Sequence, residues 1–454
     1  MKIIIIGAGE VGYHIAGRLA LENKDVVVVD RNMDSVRRVA DHLDVQTIHG
    51  SGSSPVILEQ AGIREAEILL AVTDSDEANL VACLMANILS PGTKKLARIR
   101  GAEYDAYHDQ FRDKPPHIDT IINPEIEVVK TIDRLLRLPG AVDAGEFENG
   151  KIIFVGVRLD ETARLINYRL SEISMMADVD RLLIVAIVRD EELIIPRGDD
   201  HLQPNDLVYF ISEESRLMEN LIAFEKHVEP LKRVLIVGGG RIGLRLARLL
   251  EERSISTRII ERDPERCTVL AESLSRAVVL CGDGSDQDLL SEENIHNMDA
   301  VVTLTNDEET NVLVSLLGRR MGARKAITKI SRFNYFPLMA SIGVEQIVSS
   351  RLSAINTILQ HIRRGKVLSA MSLKGEQAEV LEAEALETSA IVGKPLKQIN
   401  FPKGAILAAI IRGEQVIIPS GDSVVEPHDR VIIFAKQEAI SKIEKILMVK
   451  LEFF

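Results

Sequence analysis

The chain states one local pattern twice. An apolar run, Ile3-Ile4-Ile5-Ile6, leads directly into Gly7-Ala8-Gly9-Glu10-Val11-Gly12. The arrangement returns as Val234-Leu235-Ile236-Val237 followed by Gly238-Gly239-Gly240-Arg241-Ile242-Gly243. In each copy an acid, Asp30 or Glu261, stands 18 positions after the third glycine. A single GxGxxG is weak evidence. Two copies, each behind a strand and each with its distal acid, point to two strand–turn–helix units that cradle a phosphate. An ordinary dehydrogenase joins one nucleotide domain to one substrate domain. A chain that doubles the nucleotide domain reads as one that senses a nucleotide rather than consuming it.

The surrounding pattern supports a parallel, doubly wound sheet in each copy. Ile3–Ile6 and Val26–Val29 are short apolar runs, Ile68–Val72 and Lys95–Ile99 read as further strands, and helical stretches such as 11–22 lie between them. Strands buried on both faces have this composition, and alternation with helices makes them parallel. Asn123-Pro124-Glu125 has the form of a helix start, with a cap, a proline in the first turn and an acid at the positive end. That helix is expected to run to Pro139-Gly140. Its match in the second copy is 352–364, with Leu352, Ile355, Ile358, Leu359 and Ile362 as an apolar stripe. The stripe fits either a helix packed within its own domain or one that forms a dimer.

Residues 141–225 and 368–454 also repeat. Pro196-Arg197-Gly198-Asp199 matches Pro419-Ser420-Gly421-Asp422, and Pro204-Asn205-Asp206 matches Pro427-His428-Asp429. Both pairs are turns by composition, and the strands Leu182–Val188 and Ala405–Ile411 precede them. The fold class is therefore α/β: two Rossmann-like doubly wound parallel sheets, each followed by a small α+β module. Residues 228–232 read as a linker between the halves.

The glycines have separate tasks. Gly7 and Gly238 permit the tight turn. Gly9 and Gly240 let backbone approach a pyrophosphate, and Gly12 and Gly243 let the helix pack close. Val11 and Ile242 complete the loops. The phosphates would sit at the positive helix end. Asp30 and Glu261 would accept hydrogen bonds from ribose hydroxyls and repel a 2′-phosphate, which favours NAD over NADP. Arg31 and Arg262, next in sequence, work against that preference. Ser51 in His49-Gly50-Ser51-Gly52-Ser53 matches Asp283 in Cys281-Gly282-Asp283-Gly284-Ser285, where the acid would contact adenine or ribose; a plain loop turn is the alternative. Thr73-Asp74 and Thr305-Asn306 open a third matched stretch, expected over the phosphates or nicotinamide ribose, with helix capping as the alternative. The loops differ at one informative place. Arg241 would suit a ligand with extra terminal charge such as ADP or ATP, whereas Glu10 would disfavour one.

Composition excludes other classes. A net charge of −13, no Trp and 4% aromatics offer neither a phosphate-neutralising surface nor stacking platforms, so no nucleic-acid partner is expected. Three cysteines, Cys83, Cys267 and Cys281, form no CxxC pair, so neither a disulfide framework nor a metal site is expected. No apolar run approaches the ~18 residues of a membrane span, and the chain begins in a strand with no room for a signal peptide.

The glycine loop with Asp30, the Gly-Asp-Gly-Ser stretch and Thr-x-x-(Asp/Glu)-Glu-x-Asn together resemble the N-terminal domain of the RCK family, regulators of potassium conductance. The Pro-x-Gly-Asp and Pro-x-Asp modules resemble its C-terminal companion. Two pairs in tandem resemble the cytosolic regulatory subunits of bacterial and archaeal Trk potassium uptake systems. The resemblance covers essentially the whole chain. It implies RCK N-terminal domains at 1–139 and 231–366 and C-terminal domains at 140–227 and 367–454. It implies NAD, NADH or adenine nucleotides as ligands, and Arg241 adds the expectation of ADP or ATP at the second site. It further implies a homotetrameric gating ring of eight units on the cytoplasmic face of the membrane, beneath a Trk-type potassium translocator, and no enzymatic activity. The alternatives are an NAD-dependent oxidoreductase, which needs a proton donor near the nicotinamide, and a redox-sensing repressor, for which no basic helix-turn-helix is present.

Overall fold

The computed structural model describes residues 1–161, 163–173, 176, 182–226, 230–332, 335–362, 367–373 and 377–447. It divides into two compact units. One holds Met1–Glu127 with the helix Ser350–Ile362, and the other holds Val128–Ser349 with the described residues from 367 onward.

The first unit is built on six strands: β1 (Lys2–Ile6), β2 (Asp25–Asp30), β3 (Gln46–His49), β4 (Ile68–Ala71), β5 (Lys94–Arg98) and β6 (Thr120–Ile122). Their order is β3-β2-β1-β4-β5-β6, and every pair is parallel. The order reverses between β1 and β4, which leaves a crevice beyond the carboxyl ends of the strands. β1 and β4 are apolar because helices cover both faces; Ile3, Ile4, Ile5, Leu69 and Leu70 are fully buried.

The helix Ser350–Ile362 follows the second sheet in sequence, yet it belongs to this first unit. It packs on the helix Glu10–Leu21 and on β6. Ala354, Ile355, Ile358, Leu359 and Ile362 are its buried stripe, and Lys94 Nζ donates to the carbonyl of His361 at 3.1 Å. Packing within its own domain is thus excluded. The stripe does serve a pairing of repeats, and both repeats lie in one chain. The helix begins two residues earlier than the apolar pattern suggested, and 363–364 lie outside the described residues.

In the second unit the chain first completes the helix Pro124–Arg137. Asn123 caps it, accepting from the Glu125 amide at 3.2 Å. From Val128 onward its apolar face packs into the same core as the second parallel sheet: Val128, Ile132, Leu135 and Leu136 share a cluster with Ile236, Leu246 and Val302. Each such buried side chain contributes about 1.5–3 kcal/mol. Lys325 Nζ closes the helix end by donating to the carbonyls of Leu135, Leu136 and Leu138 at 3.1, 3.4 and 2.8 Å.

The first small module is an antiparallel sheet of β7 (Ala141–Phe147), β8 (Ile152–Arg158), β9 (Leu182–Arg189), β10 (Glu192–Ile194) and β11 (Leu207–Glu213), in the order β10-β9-β11-β8-β7. The second parallel sheet repeats the first: β12 (Arg233–Val237), β13 (Ser256–Glu261), β14 (Val278–Cys281), β15 (Ala300–Thr303), β16 (Lys325–Lys329) and β17 (Gln346–Val348), in the order β14-β13-β12-β15-β16-β17. The last module holds β18 (Val367–Leu373), β19 (Ala378–Glu384), β20 (Ala405–Arg412), β21 (Gln415–Ile417) and β22 (Arg430–Lys436), in the order β18-β19-β22-β20-β21.

The predicted module turns repeat at atomic detail. Arg189 clasps Asp206 with Nε and Nη2 at 2.9 and 2.8 Å, and Arg412 clasps Asp429 at 3.0 and 2.8 Å. The two modules pack on each other through Phe154, Tyr209 and Phe434, with Phe154 stacked on Tyr209 at 5.3 Å between ring centres. Of the expected linker, 228 and 229 lie outside the described residues.

Candidate nucleotide cradles

Each glycine loop starts where a central strand ends. Gly7 and Gly238 have φ of +110° and +109°, a conformation open to glycine at little cost. A Cβ on Gly12 would lie 1.8 Å from the Gly7 carbonyl oxygen, and one on Gly243 would lie 2.1 Å from that of Gly238. The third glycine is therefore required by the turn itself, because the helix starts against the backbone of the first. Val11 and Ile242 are buried beside it and anchor the first helical turn. At Gly9 and Gly240 a Cβ would meet nothing within 4 Å. Those positions face open space, so an added side chain would project away from the protein.

The distal acids fasten the loops. Asp30 accepts from the amides of Ala8 and Asn32 at 2.6 and 2.7 Å. Glu261 accepts from Gly239 at 2.7 Å and from Arg262 and Asp263 at 2.8 and 3.0 Å. Each carboxylate thus bridges the glycine loop to its own strand end. It retains acceptor capacity, since two carboxylate oxygens offer about four lone-pair sites. Arg31 and Arg262 are exposed beside the acids.

In the first unit these elements enclose a cavity of about 470 Å³. Gly7, Gly9, Glu10, Val11, Asp30, Arg31, Ser51, Thr73 and Asp74 all line it, so the predicted set converges apart from Gly12, which acts from beneath. Glu10 does not stand alone there. Arg38 Nη1 donates to it at 2.6 Å and Arg351 Nη1 reaches it at 3.3 Å, from the helix contributed by the second repeat. The Arg38 hydrogen bond, followed by the charges of Arg38 and Arg351, outweighs burial and holds the Glu10 carboxyl below its ordinary range. Two arginines on one carboxylate offset the charge that was expected to disfavour a ligand with extra terminal charge. Arg98, also in the lining, donates to the Thr73 carbonyl at 2.8 Å and to Asp74 at 2.6 Å. Arg38, Arg98 and Arg351 were not singled out in the sequence. Arg98 is a cation at the carboxyl end of a strand, which is a usable signal; Arg351 carried none, because nothing local says its helix packs on the other repeat.

The threonines turn out to be framework. Thr73 Oγ1 and the Thr73 amide both donate to Asn79 Oδ1, at 2.7 and 2.9 Å. Asn79 Nδ2 donates back to the carbonyls of Thr73 and Arg98 at 3.1 and 2.8 Å. Thr305 and Asn311 repeat every contact, with the Lys329 carbonyl in place of that of Arg98. Ser75 and Asp307 are the helix caps of this stretch. The capping alternative thus accounts for most of the motif. The asparagines, quoted in the pattern without a role, hold it together. Asn306 is exposed.

Asp283 accepts from the amide and hydroxyl of Ser285 at 2.8 and 2.7 Å, and these bonds hold its carboxyl below the usual range. This is the turn-forming role. Ser51 accepts more weakly from the Ser53 amide, at 3.3 Å. Arg241 is exposed at the start of its helix.

Comparison with known proteins agrees with this architecture. The TrkA-N domain family matches residues 3–124 and 234–350, and the TrkA-C domain family matches 154–222 and 380–448. A Trk system potassium uptake protein TrkA from Azorhizobium caulinodans is 39% identical over 100% of both chains. The Trk system potassium uptake protein TrkA homolog 1 from Methanosarcina mazei is 37% identical over 98% of this chain and 99% of its own. Among solved structures, the GsuK RCK domain superposes with a TM-score of 0.59 at 18% identity, over 98% of this chain and 94% of that one. The GsuK channel bound to NAD gives 0.59 at 18% identity, over 98% and 78%. At that identity the likeness concerns the fold. No described helix is long and apolar enough to cross a membrane.

Proposed function

The chain belongs to the TrkA family of Trk system potassium uptake proteins, and from that premise we propose that it is a nucleotide-binding regulatory subunit gating potassium uptake. It works from the cytoplasmic face, on a Trk-type translocator, as a homotetrameric ring. Its four segments, 1–139, 140–227, 231–366 and 367–454, serve as alternating nucleotide domains and coupling modules.

The observation that carries this reading is the duplicated cradle. Gly9 and Gly240 open onto free space at a helix start, and each neighbouring acid braces its loop. These residues fit a dinucleotide: backbone amides at Gly9–Val11 and Gly240–Ile242 would take the pyrophosphate, and Asp30 and Glu261 the ribose. The GsuK channel, similar in fold, is described bound to NAD. We assign NAD or NADH to the first cradle and leave ADP or ATP to the second, where Arg241 adds a cation. The bound nucleotide supplies no chemistry in this scheme. It biases two ring conformations by its difference in affinity between them. The oxidoreductase alternative is set aside, since relatives matched over their full length are named as potassium uptake proteins.

The test is Gly9→Asp together with Gly240→Asp in the full chain. The added carboxylates should abolish nucleotide binding by calorimetry and nucleotide-dependent potassium flux in reconstituted vesicles. Flux that still responds to nucleotide in the double variant overturns the reading.

A further inference from the structure

The second cradle carries a thiol pair that the first lacks. Cys281 ends β14, in register with Glu261 on β13. Cys267 lies on the helix Pro264–Ser273, and its thiol donates to the Glu261 carbonyl at 3.3 Å. Cys281 is close enough to that thiol to take part in raising its pKa. Two cysteines thus flank Glu261, the acid that braces the glycine loop. Cys281 is exposed and Cys267 is buried. The matched positions in the first repeat are Val36 and His49, so the pair is specific to one site.

We propose that Cys267 and Cys281 are a dithiol modification site, which closes to a disulfide under a peroxide oxidant and thereby weakens nucleotide binding at the second cradle. The exposed sulfur of Cys281 attacks one oxygen of hydrogen peroxide. The O–O bond breaks, the other oxygen leaves as water with the thiol proton, and Cys281 becomes a sulfenic acid. The sulfur of Cys267 then attacks the Cys281 sulfur. The S–O bond breaks, hydroxide departs, and it takes the Cys267 proton to become a second water. Two thiols lose two electrons, and the peroxide is reduced to two waters. The order of attack follows from accessibility. It agrees with the state of Cys267, whose thiol is pushed up to about 11 by burial, by the Cys281 contact and by the charges of Glu261 and Asp263.

Closure must move the site. A disulfide draws two sulfurs to about 2.0 Å, closer than any contact between separate thiols. The helix Pro264–Ser273 would be pulled toward the end of β14. Arg266, adjacent to Cys267, donates from Nε to the Gly239 carbonyl at 2.8 Å, so the helix is tied to the glycine loop. Gly282 and Asp283 follow Cys281 directly. Both sides of the second cradle are therefore coupled to the bond. A reversible disulfide of this kind suits a reducing compartment, where such bonds are transient and regulatory.

The effect on nucleotide rests on the function proposed above; the disulfide itself does not. Full-length protein is treated with hydrogen peroxide and mapped by mass spectrometry without reductant. A linked Cys267–Cys281 peptide lacking two hydrogens is expected, reversed by dithiothreitol and absent from Cys281→Ser. Buried Cys83, its thiol pushed up to about 12 by burial, stays unmodified. Calorimetry with NADH and with ATP then follows in two backgrounds. In Gly9→Asp, where the second cradle remains open, oxidation should weaken binding about tenfold or more; in Gly240→Asp it should change nothing. Over-oxidation of Cys281 without the internal link, or links only between chains, overturns the site. A complete link with unchanged affinity in Gly9→Asp overturns the coupling. Reduced wild type that binds neither nucleotide refutes the functional reading and the coupling with it, while the peptide map still decides the disulfide.

Discussion

Asn79 is fully buried and makes four hydrogen bonds, three to Thr73 and one to Arg98, both of which line the first cavity. Asn79→Ala removes an acceptor from the Thr73 amide and hydroxyl and a donor from the carbonyls of Thr73 and Arg98. The bond to the Arg98 carbonyl is fully buried; the three to Thr73 are partly open to water. An orphaned buried group costs about 1–3 kcal/mol and a partly solvated one less, so the total is about 3 kcal/mol. Such a loss corresponds to roughly a hundredfold change in an opening equilibrium. Hydrogen exchange of the full chain should show it in the Thr73 amide and the end of β4, with the matched amides of Thr305 and β15 unaffected. Asn311→Ala should give the mirror result.

Asn79→Asp divides the network into halves. The carboxylate keeps both acceptor contacts but sets an oxygen against the two carbonyls that Asn79 Nδ2 now serves. Burial and those carbonyls would raise the folded pKa of the new acid above its unfolded value. The folded state then binds more protons than the unfolded state, so this variant should gain protection as pH falls and lose it as pH rises through the folded pKa. Exchange in Asn79→Asp that matches wild type and ignores pH would refute the assigned amide orientation. Exchange in Asn79→Ala changed by less than about threefold would refute the network's energetic weight.

Two other outcomes follow from the charges. Glu10 is about one-third exposed and paired with two arginines, so a double-mutant cycle of Glu10→Gln with Arg351→Gln should give a coupling of only about 0.5 kcal/mol. In a carboxyl titration by NMR, Arg38→Gln should raise the Glu10 pKa more than Arg351→Gln does, because Arg38 supplies the largest lowering contribution. Lys325, pushed down to about 8 mainly by burial, makes the unfolded state bind more protons between that pH and the ordinary lysine range. Stability should therefore rise with pH across that window, by on the order of 3 kcal/mol; Lys325→Met should remove this rise from the pH dependence of the urea midpoint.

What the sequence discloses and what it withholds divide along one physical line. The glycine loops, their acids, the buried strands and the module turns were legible because each is enforced locally. Gly12 is required by the Gly7 carbonyl a few residues away, and Asp206 by a turn whose arginine partner lies 17 positions off. The helix Ser350–Ile362 was legible as a helix and as an amphipathic one, yet its destination was not. An apolar stripe of Ile355, Ile358 and Leu359 offers area without direction, and either repeat presents a sheet-flanking surface to receive it. Destination is set by chain connectivity and by specific partners such as His361 with Lys94 and Arg351 with Glu10, separated by 267 and 341 positions. The arginine partners of Glu10 in the first loop were hidden for the same reason. Glu10 read alone repels an anion; read with the arginine that the exchanged helix delivers, it organises cations around the cavity. In a chain built from repeats, the residue that decides one site can be stored in the other repeat. Local spacing therefore identifies the cradles, while part of the charge around the first depends on how the repeats exchange helices.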